Sequence, residues 1–501
     1  MNHRAICTAL LLIIAAGGLA LRVPQLDRRY VHTDESVHAY KLNELRDTGR
    51  YVYDPDEYHG PTLYYFTVPV MWLTGSEDWR GMTMAMHRIV PVLFGVGLIL
   101  LVGLLVDGLG WGAVLIAGLL TAVSPAMSYY SRYFIQETLL VLFTLLVIAL
   151  GWQYVRSQRV GWLLLAGVGV GLMHATKETC VIAWGAMAAA LVAMWWRGRP
   201  RIAFWPSIAA VSVALGVSAI LLSGWGSNPR GALDSWKTFG TYLSRAGGGD
   251  HIHPWYFYLK MLLYWRVPPA PAWSEGLILA LGLAGVVFAF RRRQVLPRFL
   301  AIYTLLLTVA YAAIPYKTPW CMIGFLHGWI LLAGVGGAGL LRAASGGFGR
   351  LAILSVVLVM GTAHLGVQSW RGNTRLCNSV RNPYVYAAPV HDVLNLTSYV
   401  EQLAQVQPGH EPLVVHVVVP NCWPLPWYLR DRQYVGYWET PPAELDADIV
   451  IVSSTFEVDV AARLREEYDT PRYYGLRRDE MVVVHVQQDL RAAFERAHTT
   501  P

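Results

Sequence analysis

The sequence predicts a polytopic α-helical membrane protein of about eleven transmembrane helices, followed by a small extracytoplasmic α/β domain. Three observations predict it. Charged residues make up only 15% of the 501, against about 25% in soluble domains. Hydrophobic residues reach 55% and come in unbroken runs, such as ALLLIIAAGGLAL (9–21), VLFGVGLILLVGLLV (92–106), LVLFTLLVIALGW (140–152) and LILALGLAGVVFAF (277–290). A run of about 20 apolar residues spans a hydrocarbon core, whereas soluble helices show one apolar face. Finally, the basic residues behind the net charge of +7 fall between the runs and not along a stripe. That placement excludes a nucleic-acid-binding surface and fits the positive-inside pattern.

Candidate spans lie near 5–21, 86–106, 111–128, 136–154, 161–176, 178–196, 202–222, 274–290, 299–314, 320–341 and 351–369. The first run follows MNHR and could be a cleaved signal peptide, but the many spans behind it favour a retained helix. With Met1 on the cytoplasmic side, alternation brings the clusters Arg156/Arg159, Arg197/Arg199/Arg201, Arg291/Arg292/Arg293/Arg298 and Arg342/Arg350 to that same side. It leaves 22–85, 129–135, 223–273, 315–319 and everything after about 370 outside, so the chain is expected in the cytoplasmic membrane with an extracytoplasmic tail. PTLYYFTVPVMWL (61–73) is short for a span and is expected at the outer interface or as a re-entrant segment.

Near Arg371 the composition changes, giving a membrane domain 1–370 that includes the outer loop 22–85, and a soluble domain 371–501. In the tail, 395–406 and 458–468 read as helices, while 412–419, 448–454 and 481–487 read as buried strands. No phosphate-binding glycine loop supports a nucleotide site there. Cys377 and Cys422 could pair in an oxidising compartment; Cys7, Cys180 and Cys321 read as packing residues.

The loop after the first span is dense in carboxylates, His and Tyr. Asp34 and Glu35 stand at a helix start with Thr33 or Asp34 as cap, and His38 follows one turn later. Taken alone, Asp34 would be a surface cap. Three further outer elements argue against that reading: SYYSRYFIQETLL (128–140) with Arg132 and Glu137, HATKET (174–179) with Lys177 and Glu178, and IPYKTPW (314–320) with Lys317. Each cation alone could be a snorkelling residue. Charges at bilayer depth are costly and tend to be paired or functional, so four such elements on one face suggest a shared cavity. One carboxylate facing several cations and aromatics suits group transfer from a phosphate-bearing lipid. The carboxylate would take a proton from an acceptor hydroxyl, and Arg and Lys would hold the departing phosphate. Trp and Tyr, here Trp320 and Tyr133, would give a sugar its stacking surfaces. The donor should be polyprenyl-linked, because nucleotide sugars are scarce outside the cytoplasm.

The Asp-Glu pair beyond the first span, the long first outer loop and the soluble outer tail resemble the C-type integral-membrane glycosyltransferases. HTDESVHAY, HGPTLYY, SRYFIQE, TKET and YKTPW, in that order, resemble the family similar to dolichyl-phosphate-mannose–protein mannosyltransferases that is known for an association with flippase activity. The resemblance covers most of the membrane part and reaches the tail through WPLPWYLRD (423–431). It implies Asp34 as base with Glu35 beside it, and it places Arg132, Lys177 and Lys317 in the family's basic outer motifs. A donor-phosphate role for these three is our own inference, and His38, Glu57 and His59 would approach acceptor or sugar. The expected reaction moves one sugar, mannose among the candidates, from a polyprenyl-phosphate donor to an extracytoplasmic protein, lipid or glycan, with inversion. No cofactor is required. A divalent ion at Asp34, His38, Glu57, His59, His251 and His253 stays an alternative, although no compact ligand spacing is present. His251 and His253, after GGGD (247–250), read as part of a flexible acceptor loop. Two other readings remain: a transporter or accessory for flipping lipid-linked oligosaccharides, and a scaffold whose tail binds cell-wall glycan. No internal repeat favours the transporter.

Overall fold

The computed structural model describes the chain except Met1 and residues 57–58, 77, 199–201, 246–250, 408–411, 465–467 and 499–501; at 195–198 and 242–245 it describes the backbone alone. It divides into two compact units. The first comprises Met1–Arg28, Glu44–Thr74 and Ala85–Tyr386, and the second Arg29–Asn43, Gly75–Met84 and Ala387–Pro501.

In the first unit each expected span is helical: His3–Arg22, Met84–Leu101, Trp111–Val123, Glu137–Ser157, Val160–His174, Cys180–Gly198, Phe204–Leu222, Gly276–Arg291, Val295–Ala313, Ile323–Ala344 and Phe348–Asn373. Among the described residues, seven helical stretches are long and apolar enough to cross a membrane, and four more are apolar but shorter. The stretch Pro319–Ala344 is the core of this unit, 89% buried along its apolar window. Glycine makes its packing close. A Cβ at Gly285 would stand 2.0 Å from the Leu332 carbonyl, and one at Gly336 1.9 Å from that of Leu281. Only glycine permits this approach, the usual device where helices meet without a hydrophobic driving force. PTLYYFTVPVMWL forms the 13-residue helix Thr62–Thr74, with Pro69 inside it, too short for the roughly 20 residues of a span.

The first unit runs past residue 370 because 374–386 is built into it. The Tyr384 hydroxyl donates to Glu275 at 2.8 Å, and the Tyr129 and Tyr130 hydroxyls donate to the carbonyls of Cys377 (3.0 Å) and Tyr384 (2.9 Å).

The second unit holds a five-stranded sheet, β1 Val414–Val418, β2 Tyr434–Trp438, β3 Ile449–Ser453, β4 Arg472–Arg477 and β5 Glu480–Val486, in the order β2-β1-β3-β5-β4. β2, β1 and β3 run parallel; β5 pairs antiparallel with β3 and β4. Val393, Leu396 and Val400 of helix Asp392–Gln405 share a core with Val415, Ile449 and Val482. The edge strands β2 and β4 escaped the sequence reading, because YVGYW and RYYGLR lack the fully buried apolar run of β3. All five cysteines are free thiols, Cys377 and Cys422 included.

Candidate functional site

Asp34 and Glu35 open the helix Thr33–Thr48, and its start differs from the expected cap. The cap is His32: its Nδ1 accepts from the Asp34 backbone N–H at 3.1 Å. Glu35 reaches back to the His32 N–H at 3.3 Å, the reciprocal half of a capping box. Glu35 also takes Arg29 Nη2 at 2.8 Å, and the two side chains are 0% and 7% exposed. Asp34, one residue earlier, keeps its carboxylate 38% exposed, 3.7 Å from His32 Nδ1. Neighbouring carboxylates thus have opposite environments, one sealed on an arginine and one open at a helix N-terminus, where the dipole favours negative charge. His38 is buried. WPLPWYLRD braces this segment: the Val31 N–H donates to the Tyr428 hydroxyl at 2.9 Å, and Tyr40 meets Trp423 edge to face at 5.8 Å.

In the first unit, HGPT and TKET meet. A Cβ at Gly60 would lie 2.2 Å from the Ala175 carbonyl, which accepts from the Thr62 N–H at 3.2 Å. This contact brings His59 Nδ1 to 2.7 Å from one Glu178 oxygen, while the Tyr53 hydroxyl donates to the other at 2.7 Å. Tyr51 fixes the His59 carbonyl at 2.7 Å. Burial pushes the Glu178 carboxyl up, but the charge and hydrogen bond of His59 and the hydrogen bond from Tyr53 outweigh it and hold the group below its ordinary value.

Lys177 turns the other way. Its ammonium hydrogen-bonds Glu137, and the side chains are 8% and 6% exposed. Burial pushes the Lys177 ammonium down, and the attraction of Glu137 more than reverses it. Glu137 also borders a cavity of about 30 Å³ with Thr179, Tyr311, Trp320 and Cys321 on its wall.

Arg132 donates to the carbonyls of Pro24 (2.8 Å) and Gln25 (2.9 Å), just beyond the first helix. Lys317 is 1% exposed, and its ammonium donates to the Ile314 carbonyl and to that of His253 at 3.2 Å. Burial holds it below its ordinary 10.5. Tyr133 and Trp320 stack with centroids 6.2 Å apart. His251 and His253 are pinned and do not form the free loop that the sequence suggested. Both reach the Tyr386 hydroxyl, at 2.7 and 3.0 Å, and the His253 N–H donates to the Pro315 carbonyl at 3.1 Å. Glu57 lies outside the described residues. Among the described residues no group of three or more His, Cys, Asp and Glu side chains gathers to hold an ion.

Sequence reasoning did not pair Lys177 with Glu137 or His59 with Glu178, since the partners lie 40 and 119 residues apart. It missed Glu275 altogether. That buried carboxylate accepts from the Ser124 hydroxyl (2.5 Å) and the Ala126 N–H (2.8 Å) at the start of helix Pro125–Tyr130. Its only sequence signal was a single acid directly before an apolar run.

Residues 58–223 match the family described as dolichyl-phosphate-mannose-protein mannosyltransferase. No curated protein sequence matches the chain. Among solved structures, ArnT from Cupriavidus metallidurans bound to undecaprenyl phosphate superposes with a TM-score of 0.65 at 15% identity, over 96% of this chain and 99% of that one. Its apo state gives 0.64 at 15%, over 95% and 98%. The Archaeoglobus fulgidus oligosaccharyltransferase tethered with an acceptor peptide containing the NVT sequon gives 0.61 at 13%, over 98% of this chain and 77% of that one. These likenesses establish the fold of both units as that of C-type membrane glycosyltransferases.

Proposed function

We propose that this chain, a membrane glycosyltransferase of the dolichyl-phosphate-mannose-protein mannosyltransferase kind that draws on a polyprenyl-phosphate sugar, moves one sugar onto an extracytoplasmic hydroxyl acceptor with inversion. The observation that carries the reading is that the matched segment 58–223 contains HGPT, SRYFIQE and TKET, and so the buried cation Lys177 and its carboxylate partner. Buried charge is costly to keep and marks function more often than packing.

Asp34 lies outside that segment, and its role is proposed from its own geometry. It is the open carboxylate beside the sealed Glu35. Asp34 takes the acceptor's hydroxyl proton, the acceptor oxygen forms its bond to the anomeric carbon, and the bond from that carbon to the phosphate oxygen breaks. The electron pair leaves on the polyprenyl phosphate, whose charge Arg132, Lys177 and Lys317 stabilise. Because phosphate is a good leaving group, no second carboxylic acid is needed, unlike glycoside hydrolysis. Glu35 and Arg29 position Asp34. Tyr133 and Trp320 offer an aromatic surface to the sugar, and His38 and His59 serve the acceptor side.

The test is transfer of label from a radiolabelled polyprenyl-phosphate sugar in proteoliposomes, wild type beside Asp34→Asn. Loss of a general base costs about 10²–10⁴ in rate, so label should reach acceptor only with wild type. Label that crosses the bilayer equally with both proteins and joins nothing would mean a transporter.

A further inference from the structure

We propose that the Glu137 carboxylate is an internal stand-in for the donor's phosphate, holding the Lys177 ammonium until a polyprenyl phosphate displaces it. This rests on the reading of Lys177 as a donor-phosphate residue.

The pair is buried, and the only hydrogen bond of the Lys177 ammonium among the described residues goes to Glu137. Glu178, the next residue, adds its negative charge to the field at Lys177 but makes no hydrogen bond to it, its two oxygens being engaged by His59 and Tyr53. The other titratable groups around the pair are Cys321, Tyr303 and Tyr311, which are neutral in their ordinary forms. Lys177 and Glu137 therefore cancel, and the site as it stands has no charge to offer an anion. A phosphate brought to Lys177 would set two anions on one cation in a medium of low dielectric, where like charges are most costly.

Glu137 is built to yield. One of its oxygens takes Lys177, and the other, Oε2, is buried with no hydrogen-bond partner among the described residues. A half-satisfied buried carboxylate is held less firmly than one with both oxygens bonded, as Glu178 has. The cavity of about 30 Å³ borders Glu137. Space of that size admits water beside the displaced group, and the walls offer the Thr179 and Tyr311 hydroxyls and the Cys321 thiol. An ammonium has three donors, so all three are open to phosphate oxygens once the carboxylate leaves.

The experiment measures binding of undecaprenyl phosphate and of neutral undecaprenol to the full chain in nanodiscs at pH 7. Glu137→Gln removes the competing charge, and its Kd for the phosphate should fall at least about tenfold, since juxtaposed like charges cost more than the 1.4 kcal/mol of one decade. Undecaprenol binding should not change. In a Lys177→Met background the same substitution should give no gain. Should Glu137→Gln fail to insert, Glu137→Asp keeps the charge on a shorter arm and should tighten phosphate binding several-fold. Phosphate binding that is unchanged or weaker in the Glu137 variants, with Lys177→Met weakening it, would overturn the stand-in alone. Binding indifferent to Lys177→Met would remove the phosphate reading of Lys177 and the stand-in with it.

Discussion

Replacing Glu35 by glutamine tests whether the Arg29–Glu35 pair is what presents Asp34. Glu35 has no exposed surface, accepts Arg29 at 2.8 Å and takes the His32 N–H at 3.3 Å. Removing one member of a buried pair costs about 3–5 kcal/mol. At about 3 °C per kcal/mol for a unit of this size, that is a fall in Tm of roughly 9–15 °C. The assay is thermal unfolding of the full chain in detergent, followed by near-ultraviolet circular dichroism, with transfer kinetics measured alongside. Transfer should drop in kcat more than in KM, because Asp34 sits on the helical turn that Glu35 ties down. A second comparison separates the pair from mere packing. Arg29→Met with Glu35→Met replaces two charges by apolar groups, and such exchanges are often neutral or stabilising. Stability should then recover while the catalytic loss persists. A Glu35→Gln protein that melts within about 1 °C of wild type, or single effects that add in the double variant, would refute the argument.

Two further predictions concern the contact of HGPT with TKET. Glu178 is held below its ordinary value of 4.5, so its stabilisation is present above that pH and is lost as pH falls through the folded value. Glu178→Gln should lower stability at pH 7 and flatten the acid branch of the unfolding profile, and an unchanged acid branch would remove Glu178 from it. Gly60→Ala puts a methyl 2.2 Å from the Ala175 carbonyl. Overpacking of that kind costs about 1–3 kcal/mol, so the variant should melt earlier and lose transfer activity, and wild-type behaviour in both assays would contradict the contact.

The spans were legible because burial in lipid leaves a one-dimensional signature. Each needs a run of apolar residues, and runs survive reading without partners. The central strands β1 and β3 were legible for the same reason, while β2 and β4, with YVGYW and RYYGLR, were not. The site was legible only as a set of residue types. HTDES, TKET and SRYFIQE announced charge, but the sequence could not say that Lys177 faces Glu137 while Glu178 faces His59, since consecutive residues in a loop can turn either way. It chose the wrong cap as well: Thr33 and Asp34 are both of the preferred cap types, but His32 provides the acceptor and Glu35 completes the exchange.

The three cations of the first unit also differ in a way their residue types conceal. Lys317 donates to carbonyl oxygens, which are dipoles and leave the positive charge in place. Lys177 is neutralised by a full carboxylate. Lys317 can attract an anion without giving anything up, and in a buried setting its field falls off slowly. Lys177 can do so only by exchanging one anion for another. Arg132 has a second duty, since its bonds to Pro24 and Gln25 lie just past the carboxyl end of the first helix, where the half-charge is negative. Alanine at Arg132 would therefore perturb fold and field together, whereas alanine at Lys317 removes a charge that serves no ion pair among the described residues. Of the three, Lys317 is the cleaner probe of how much of the donor's binding is electrostatic.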